Sequence, residues 1–337
     1  MKIYTLALAG LLALIACQKN QPIRLAGNTM GTTYHITIAD ENNIPLPISD
    51  IQFAVDSILL EVNRKMSTFI KDSEISRFNR WQKTDPFIVS KEFVSVLGTA
   101  LQIYRESNGA FDVTVAPLVN LWGFGNAGSR QITPPLEHIN QARKHIGSDK
   151  LLILNDSTIV KEDSLLKLDL SAIAKGYGVD VVSRMLDNHG LHDYLVEIGG
   201  EVVAKGLKYG QKWRIGIDHP DYNAVPGKNL EAVLLLSNAA VATSGDYRNY
   251  FMVGDTVYTH AIDPANGKPV INGVASVTVI APQCTLADAM ATAIMVMGAE
   301  KGLQMVENKP DMECLIILRT KSEYRTLKST GFGKYLD

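Results

Sequence analysis

Cysteine is scarce in this chain, charge of neither sign prevails, and no apolar run is long enough to span a bilayer. Three cysteines in 337 residues cannot staple a fold of this size, which excludes a disulfide framework. No Cys/His spacing fits a zinc centre either. Lys+Arg number 33 against 35 Asp+Glu, for a formal net charge of −2, and basic residues form no run. Nucleic acid is therefore not an expected partner. The motifs of Walker-type nucleotide hydrolysis (G-x-x-x-x-G-K-[ST]), zincin proteolysis (H-E-x-x-H) and α/β-hydrolases (G-x-S-x-G) are all missing. Gly123-Phe124-Gly125-Asn126-Ala127-Gly128 matches G-x-G-x-x-G, but no helix can open behind it before Pro135, so dinucleotide binding of the Rossmann kind is not expected.

The longest apolar stretch, Ile3 to Ala16, follows Lys2 and stops at Cys17. A membrane span needs about 20 apolar residues. The segment fits a secretory signal instead, and its Leu14-Ile15-Ala16-Cys17 ending resembles a bacterial lipobox. The expectation is a signal peptide over 1–16, lipidation (palmitate among the acyl groups) at Cys17, a tether over 17–25 and one soluble domain over 26–337. Of the remaining cysteines, Cys314 lies in an apolar run and reads as a small hydrophobe, and a Cys284–Cys314 bridge is left open.

Hydrophobic periodicity supplies the elements. Thr32 to Ile38 alternates as a strand, and Asp50 opens a helix with Ile51, Val55, Ile58, Leu59 and Val62 on one side. Lys91 to Glu106 reads as a helix capped by Ser90 and stopped by Gly109, and Pro135 to His145 as a third. Strands follow at Leu151–Leu154, Thr158–Lys161 and Leu165–Leu170, the last feeding a helix over Ala172–Leu186. Further strands are expected at Tyr194–Ile198, Trp213–Ile217, Ala232–Leu236, Val241–Ala242, Tyr250–Met252, Ala275–Ile280 and Met312–Leu318, with a helix over Leu286–Val306 broken near Gly298. Helices and strands alternate without a regular βαβ period, and no repeat or low-complexity linker divides the chain. The class is α+β, in a single domain.

Four segments have chemistry to offer. In Thr285-Leu-Ala-Asp288-Ala-Met-Ala-Thr292, a helix puts Asp288 and Thr292 on one face, where two hard oxygens suit Mg²⁺. The same letters also spell a capping box, with Thr285 at the N-cap and Asp288 three residues on. Asp169-Leu-Ser171-Ala172-Ile-Ala-Lys175 places Ser171 as an N-cap and a lysine in the first helical turn. The helix dipole disfavours that cation unless an anion such as phosphate sits beside it or the lysine swings into solvent. Ala110-Phe111-Asp112 could clamp a flat ring or simply join the core. His260, before the turn Asp263-Pro-Ala-Asn-Gly267, is a candidate general base or a structural histidine.

Together these segments resemble the ApbE family of FAD:protein FMN transferases. The matching islands are Met30-Gly-Thr-Thr-Tyr34, Met66-Ser-Thr-Phe69 with Asp72 to Asn79, Gly109 to Thr114 running on to Leu121-Trp-Gly-Phe-Gly125, Asp169 to Gly176, Ala242 to Tyr247, His260 to Gly267, and Asp288 to Thr292. They fall in family order over nearly the whole mature chain. The resemblance implies a mixed, largely antiparallel sheet with packed helices, related to the T-fold. It implies an enzyme that splits FAD at the pyrophosphate with Mg²⁺, transfers FMN to a Thr or Ser hydroxyl of a target protein, and releases AMP. Flavin contacts would fall to Met30, Phe69, Ala110, Phe111, Asp112, Asp169, Lys175 and Ile262. Magnesium would fall to Asp288, Thr292 and the backbone carbonyl of Ala172, and His260 would take the acceptor's proton. Acceptors would resemble the flavin subunits of Nqr- or Rnf-type reductases at a D-G-x-x-[ST]-G-A-[ST] segment, and the enzyme would sit lipid-anchored on the periplasmic face of a membrane or on the cell surface. The rival activities are an FAD pyrophosphatase and a lipoprotein that only binds flavin. Ser171 and Ala172 stand where many members carry two glycines, Ala291 where some have a further acid, and Ala261 where a larger aliphatic is usual.

Overall fold

The computed structural model describes residues 21–39, 46–125, 133–222, 225, 227–254, 256–320 and 323–337. The signal segment, Cys17 and the end of the G-x-G-x-x-G stretch lie outside them. The elements run β1 (Ile23–Thr29), β2 (Thr32–Ile38), α1 (Ile48–Met66), α2 (Glu74–Arg80), β3 (Phe87–Ile88), α3 (Lys91–Glu106), α4 (Ala116–Leu121), α5 (Leu136–Arg143), β4 (Leu151–Asn155) and β5 (Thr158–Lys161). The second half runs α6 (Ala174–Asn188), β6 (Tyr194–Ile198), β7 (Glu201–Lys205), β8 (Trp213–Asp218), β9 (Leu230–Leu236), β10 (Ala239–Gly245), β11 (Tyr250–Val253) and β12 (Thr256–Thr259). It closes with β13 (Ile262–Asp263), β14 (Lys268–Pro269), β15 (Val274–Ala281), α7 (Cys284–Met297), α8 (Ala299–Glu307), β16 (Glu313–Arg319) and β17 (Tyr324–Lys328).

An eight-stranded sheet in the order β1-β2-β6-β7-β10-β15-β16-β17 forms the spine, and every pairing between the described strands is antiparallel. Side chains of a strand alternate between faces. Tyr34, Ile36, Val196, Ile198 and Val203 therefore turn one way, against Ile51, Val55 and Leu59 of α1 and Val179 and Val182 of α6. Val202, Ala204, Val241, Leu315 and Ile317 turn the other way, against Trp213, Ile217, Leu234 and Leu236 of the β8–β9 hairpin. Covered on both faces, β15 is buried along its whole length. The α+β class and the single-domain reading hold.

Several local expectations change. Strand β1 begins at Ile23, where Ile23 to Leu25 already pair with Ile38 to Ile36, so the stretch expected as tether gives its last residues to the sheet. Leu165 to Leu170 is not a strand. Its alternation is real, since Leu166, Leu168 and Leu170 are buried, but it joins no ladder: the Asp169 N–H donates to the Val113 carbonyl at 2.7 Å, and Leu168 pairs with a side chain. Asn79 donates to the Leu168 carbonyl at 2.8 Å and accepts from its N–H at 2.7 Å. Both remaining cysteines are free and buried, so no bridge joins them. Among the described residues no helix is long and apolar enough to cross a membrane.

Candidate active site

Helices α6 and α7 cross at Gly176, where an added Cβ would lie 2.3 Å from the Cys284 carbonyl and 2.9 Å from the Asp288 Cβ. Only glycine admits so close an approach. It brings the start of α6 against the face of α7 that carries Asp288 and Thr292, and Asp288 Oδ2 accepts the Gly176 N–H at 3.0 Å. The capping-box alternative is not realised. Gln283 holds the N-cap position of α7, and the Thr285 hydroxyl donates to Asp180 of α6 at 2.5 Å. Asp180 takes over the capping, accepting from the N–H groups of Cys284 at 2.9 Å and Thr285 at 2.8 Å. With its own helix start served from outside, Asp288 is free to face the cavity.

Ser171 is likewise not an N-cap. Helix α6 starts at Ala174 behind Ile173, and Ser171 instead closes a turn on Asp169, whose Oδ1 accepts from the Ser171 N–H at 2.8 Å and its hydroxyl at 2.5 Å. The lysine in the first turn of α6 has protein anions beside it. Lys175 Nζ lies 2.9 Å from Glu201 Oε1 and 3.7 Å from Asp288 Oδ1. Burial works to lower its pKa, but the two carboxylates outweigh that and hold it above the ordinary lysine value.

Glu201 was not expected from the sequence. It follows a two-residue turn, Gly199-Gly200, with φ of +60° and +104°, which joins β6 to β7 and delivers the acid to the helix face of the sheet. The pair of glycines before an acid is the signal that marks it. Its Oε2 is buried without a hydrogen-bond partner, and burial raises its pKa against the opposing pull of Lys175. Ser244 of β10, 3.1 Å from the Thr292 hydroxyl, is a second addition.

These groups line one cavity of about 380 Å³. It collects Phe69, Ala110, Phe111, Asp112, Asp169, Ala172, Lys175, His260, Ile262, Asp288 and Thr292, which means every expected site residue in the described chain except Met30. Met30 is not on its wall. The β1–β2 turn holds it at φ +50° and turns its side chain onto α6, where its methyl lies 2.8 Å from where a Gly178 Cβ would be. Phe69, Val119, Phe124 and Met295 add apolar surface to the lining, and Phe69 is largely exposed, at 72%. Asp112 spends Oδ1 on the loop, accepting from the Thr114 N–H at 2.8 Å and from the hydroxyls of Thr114 and Ser148 at 2.6 Å each. Only Oδ2 is left to meet a ligand.

His260 Nδ1 lies 3.2 Å from the Asn249 carbonyl, which can only accept. That contact assigns the proton to Nδ1 and leaves Nε2 as the basic nitrogen. Burial lowers the His260 pKa below its usual value, so the neutral, proton-accepting form prevails near neutral pH.

The donor set fits a magnesium ion. Asp288, Thr292 and Ala172 bring carboxylate, hydroxyl and carbonyl oxygens, all hard, to one cavity, which Glu201 with its unpartnered Oε2 also lines. Among the described residues no group of three or more His, Cys, Asp or Glu could cage a metal. Few protein ligands, with the rest supplied by water and phosphate, is the usual arrangement for Mg²⁺.

Aromatic and aliphatic side chains, a lysine, hard oxygens and a neutral histidine around one cavity in an α+β domain are the parts of an enzyme that acts on an aromatic, anionic ligand. Comparison with known proteins narrows the class. Residues 30–316 match the ApbE family, and the chain belongs to that family. It is 41% identical to the FAD:protein FMN transferase of Vibrio cholerae over 100% of this chain and 99% of that protein, and 39% identical to that of Haemophilus influenzae over 98% and 96%. The solved flavin transferase ApbE of Vibrio cholerae superposes with a TM-score of 0.85 at 40% identity, covering 94% of this chain and 99% of that one. The flavinyl transferase ApbE of Pseudomonas stutzeri superposes with a TM-score of 0.83 at 34% identity, covering 93% and 96%. The chain is a flavin transferase.

Proposed function

We propose that the enzyme transfers the FMN half of FAD to a Thr or Ser hydroxyl of a target protein as a phosphoester, releasing AMP. The observation that carries this reading is the convergence of Asp288, Thr292, Lys175 and His260 on one cavity that Phe69, Phe111 and Phe124 also line. The isoalloxazine ring would lie against Phe69, Phe111 and Ile262, with Asp112 and Asp169 as acceptors for its polar edge. Lys175 would set its charge beside the pyrophosphate. Asp288, Thr292 and the Ala172 carbonyl would hold Mg²⁺, which when bound neutralises phosphate charge and makes AMP a better leaving group. The acceptor hydroxyl forms a bond to the FMN phosphorus as the bridging P–O bond breaks towards AMP. His260 Nε2 takes the hydroxyl proton.

Cys17 would carry lipid that anchors the domain at the membrane, on the periplasmic face or the cell surface, where flavin subunits of Nqr- or Rnf-type reductases would be the acceptors. The test is incubation with FAD, Mg²⁺ and an acceptor bearing the D-G-x-x-[ST]-G-A-[ST] segment, followed by flavin fluorescence on the denatured acceptor and assay of AMP. AMP with free FMN and an unlabelled acceptor makes the enzyme an FAD pyrophosphatase. No AMP at all makes it a flavin-binding protein.

A further inference from the structure

A second and larger cavity, about 890 Å³, lies on the opposite face of the main sheet and contains none of the expected site residues. Its floor is Thr33 and His35 of β2 with Leu195 and Glu197 of β6, which alternation turns away from the helices. One side is formed by five consecutive residues of β8, Arg214 to Asp218. Successive side chains of a strand point to opposite faces, so consecutive residues can line one groove only if it runs along the strand's edge. Strand β8 pairs with β9 alone among the described residues, and Gly216, at the middle of the run, has only backbone to present. The edge that lines the groove therefore offers N–H and C=O groups at strand spacing over about 16 Å.

The groove meets the site cavity at Gly199, Thr243 and Arg248, which line both. Arg248 marks the junction, donating to the Gly199 carbonyl at 3.1 Å and lying 3.9 Å from Asp218 at the end of β8. Charges along the groove are mixed, with Arg214 and Arg248 set among Glu197, Asp218 and Asp221. Mixed charge of this kind offers no single-sign field for a polyanion or an anionic lipid surface, whereas charges of both signs beside apolar Leu195, Ile215 and Leu230 suit the backbone and varied side chains of a peptide.

We infer that the acceptor polypeptide docks in extended form along the free edge of β8, as an added strand that delivers its hydroxyl past Arg248 to His260. This rests on the transferase reading, because the attacking hydroxyl belongs to a second protein. Main-chain pairing to an exposed edge gives affinity with little demand on side-chain identity.

The probe is a synthetic peptide carrying the D-G-x-x-[ST]-G-A-[ST] segment, with a twin in which the acceptor residues are alanine. Hydrogen exchange on the wild-type enzyme with FAD, Mg²⁺ and the unreactive twin should slow at the amides of residues 214–218. Thr33→Trp, which fills the groove from an exposed strand position, should raise KM for the reactive peptide about tenfold while leaving FAD affinity unchanged. Labelling of the peptide with no added protection at 214–218 and an unaltered KM overturns the docking site and leaves the transferase reading standing. Protection by FAD alone assigns the groove to the adenine half of FAD, and protection that follows enzyme concentration without peptide assigns it to a second copy; either overturns the inference. A peptide that the wild type never labels overturns the transferase reading, and the docking site with it.

Discussion

Asp288 of α7 accepts a hydrogen bond from the backbone N–H of Gly176, in the first turn of α6, at 3.0 Å. The reciprocal contact comes from α6, whose Asp180 caps the start of α7. Each helix thus serves the other's N-terminus, and the crossing that results fixes Asp288, Lys175 and Thr292 relative to one another. Catalytic placement and helix packing share the same atoms here.

Substitution at Gly176 should expose this coupling. Gly176→Ala puts a methyl against the Cys284 carbonyl, which cannot yield without parting the helices, and a cost of about 1–3 kcal/mol is expected. Urea unfolding measures it. Acceptor labelling should fall as well, because the Asp288 carboxylate moves with α7.

Asp180→Ala should destabilise the crossing from a position outside the cavity lining. Three donors on Cys284 and Thr285 lose one buried acceptor, for a loss of about 1–3 kcal/mol. Thermal unfolding should record the drop, and acceptor labelling should fall with it as the crossing that places Asp288 loosens.

Asp288→Ala should lower FMN transfer by about 100-fold or more and raise the Mg²⁺ concentration needed for half-maximal rate. Magnesium titration of acceptor labelling checks it. A variant with unchanged magnesium dependence would remove Asp288 from the proposed ligand set.

Glu201→Ala leaves the Lys175 ammonium without its nearer counter-charge. Breaking a buried pair on one side costs about 3 kcal/mol, an upper figure here because Lys175 is partly reached by solvent. Chemical denaturation is the measurement, and an unchanged midpoint would mean the pair contributes nothing.

The pH profile should carry the mark of His260. Burial depresses its pKa from the ordinary 6.5, so the base stays neutral, and transfer stays fast, to lower pH than a solvent-exposed histidine would allow. The sign for stability follows: the folded state resists protonation, so stability contributed by this group is lost as pH falls below 6.5 towards the lowered value. The acid limb of kcat/KM should have its midpoint below 6.5, and His260→Ala should abolish that limb and slow transfer by about 100- to 10,000-fold.

The sequence by itself determined the local elements with strong periodicity: β2 and β6 end where the alternation ends, and Ser90 caps α3 by accepting the Phe93 N–H. It also pointed to most of the residues that line the cavity, since the spacing of Asp288 and Thr292 needs only a helix, though Met30 packs elsewhere and Glu201 and Ser244 join from outside the expected set. Tertiary structure decided the rest, because those answers depend on partners far apart in the chain. The letters around Asp288 fit a cap as well as a ligand, and the acid on α6, Asp180, 105 residues from Thr285, settled which donors each carboxylate serves. Leu165 to Leu170 alternates like a strand, yet Asn79, 89 residues from Leu168, supplies the bonds that a neighbouring strand would have made. The partners of Lys175 and the free edge of β8 are likewise products of packing: a local pattern names the group a residue offers, and the fold alone fixes what stands opposite it.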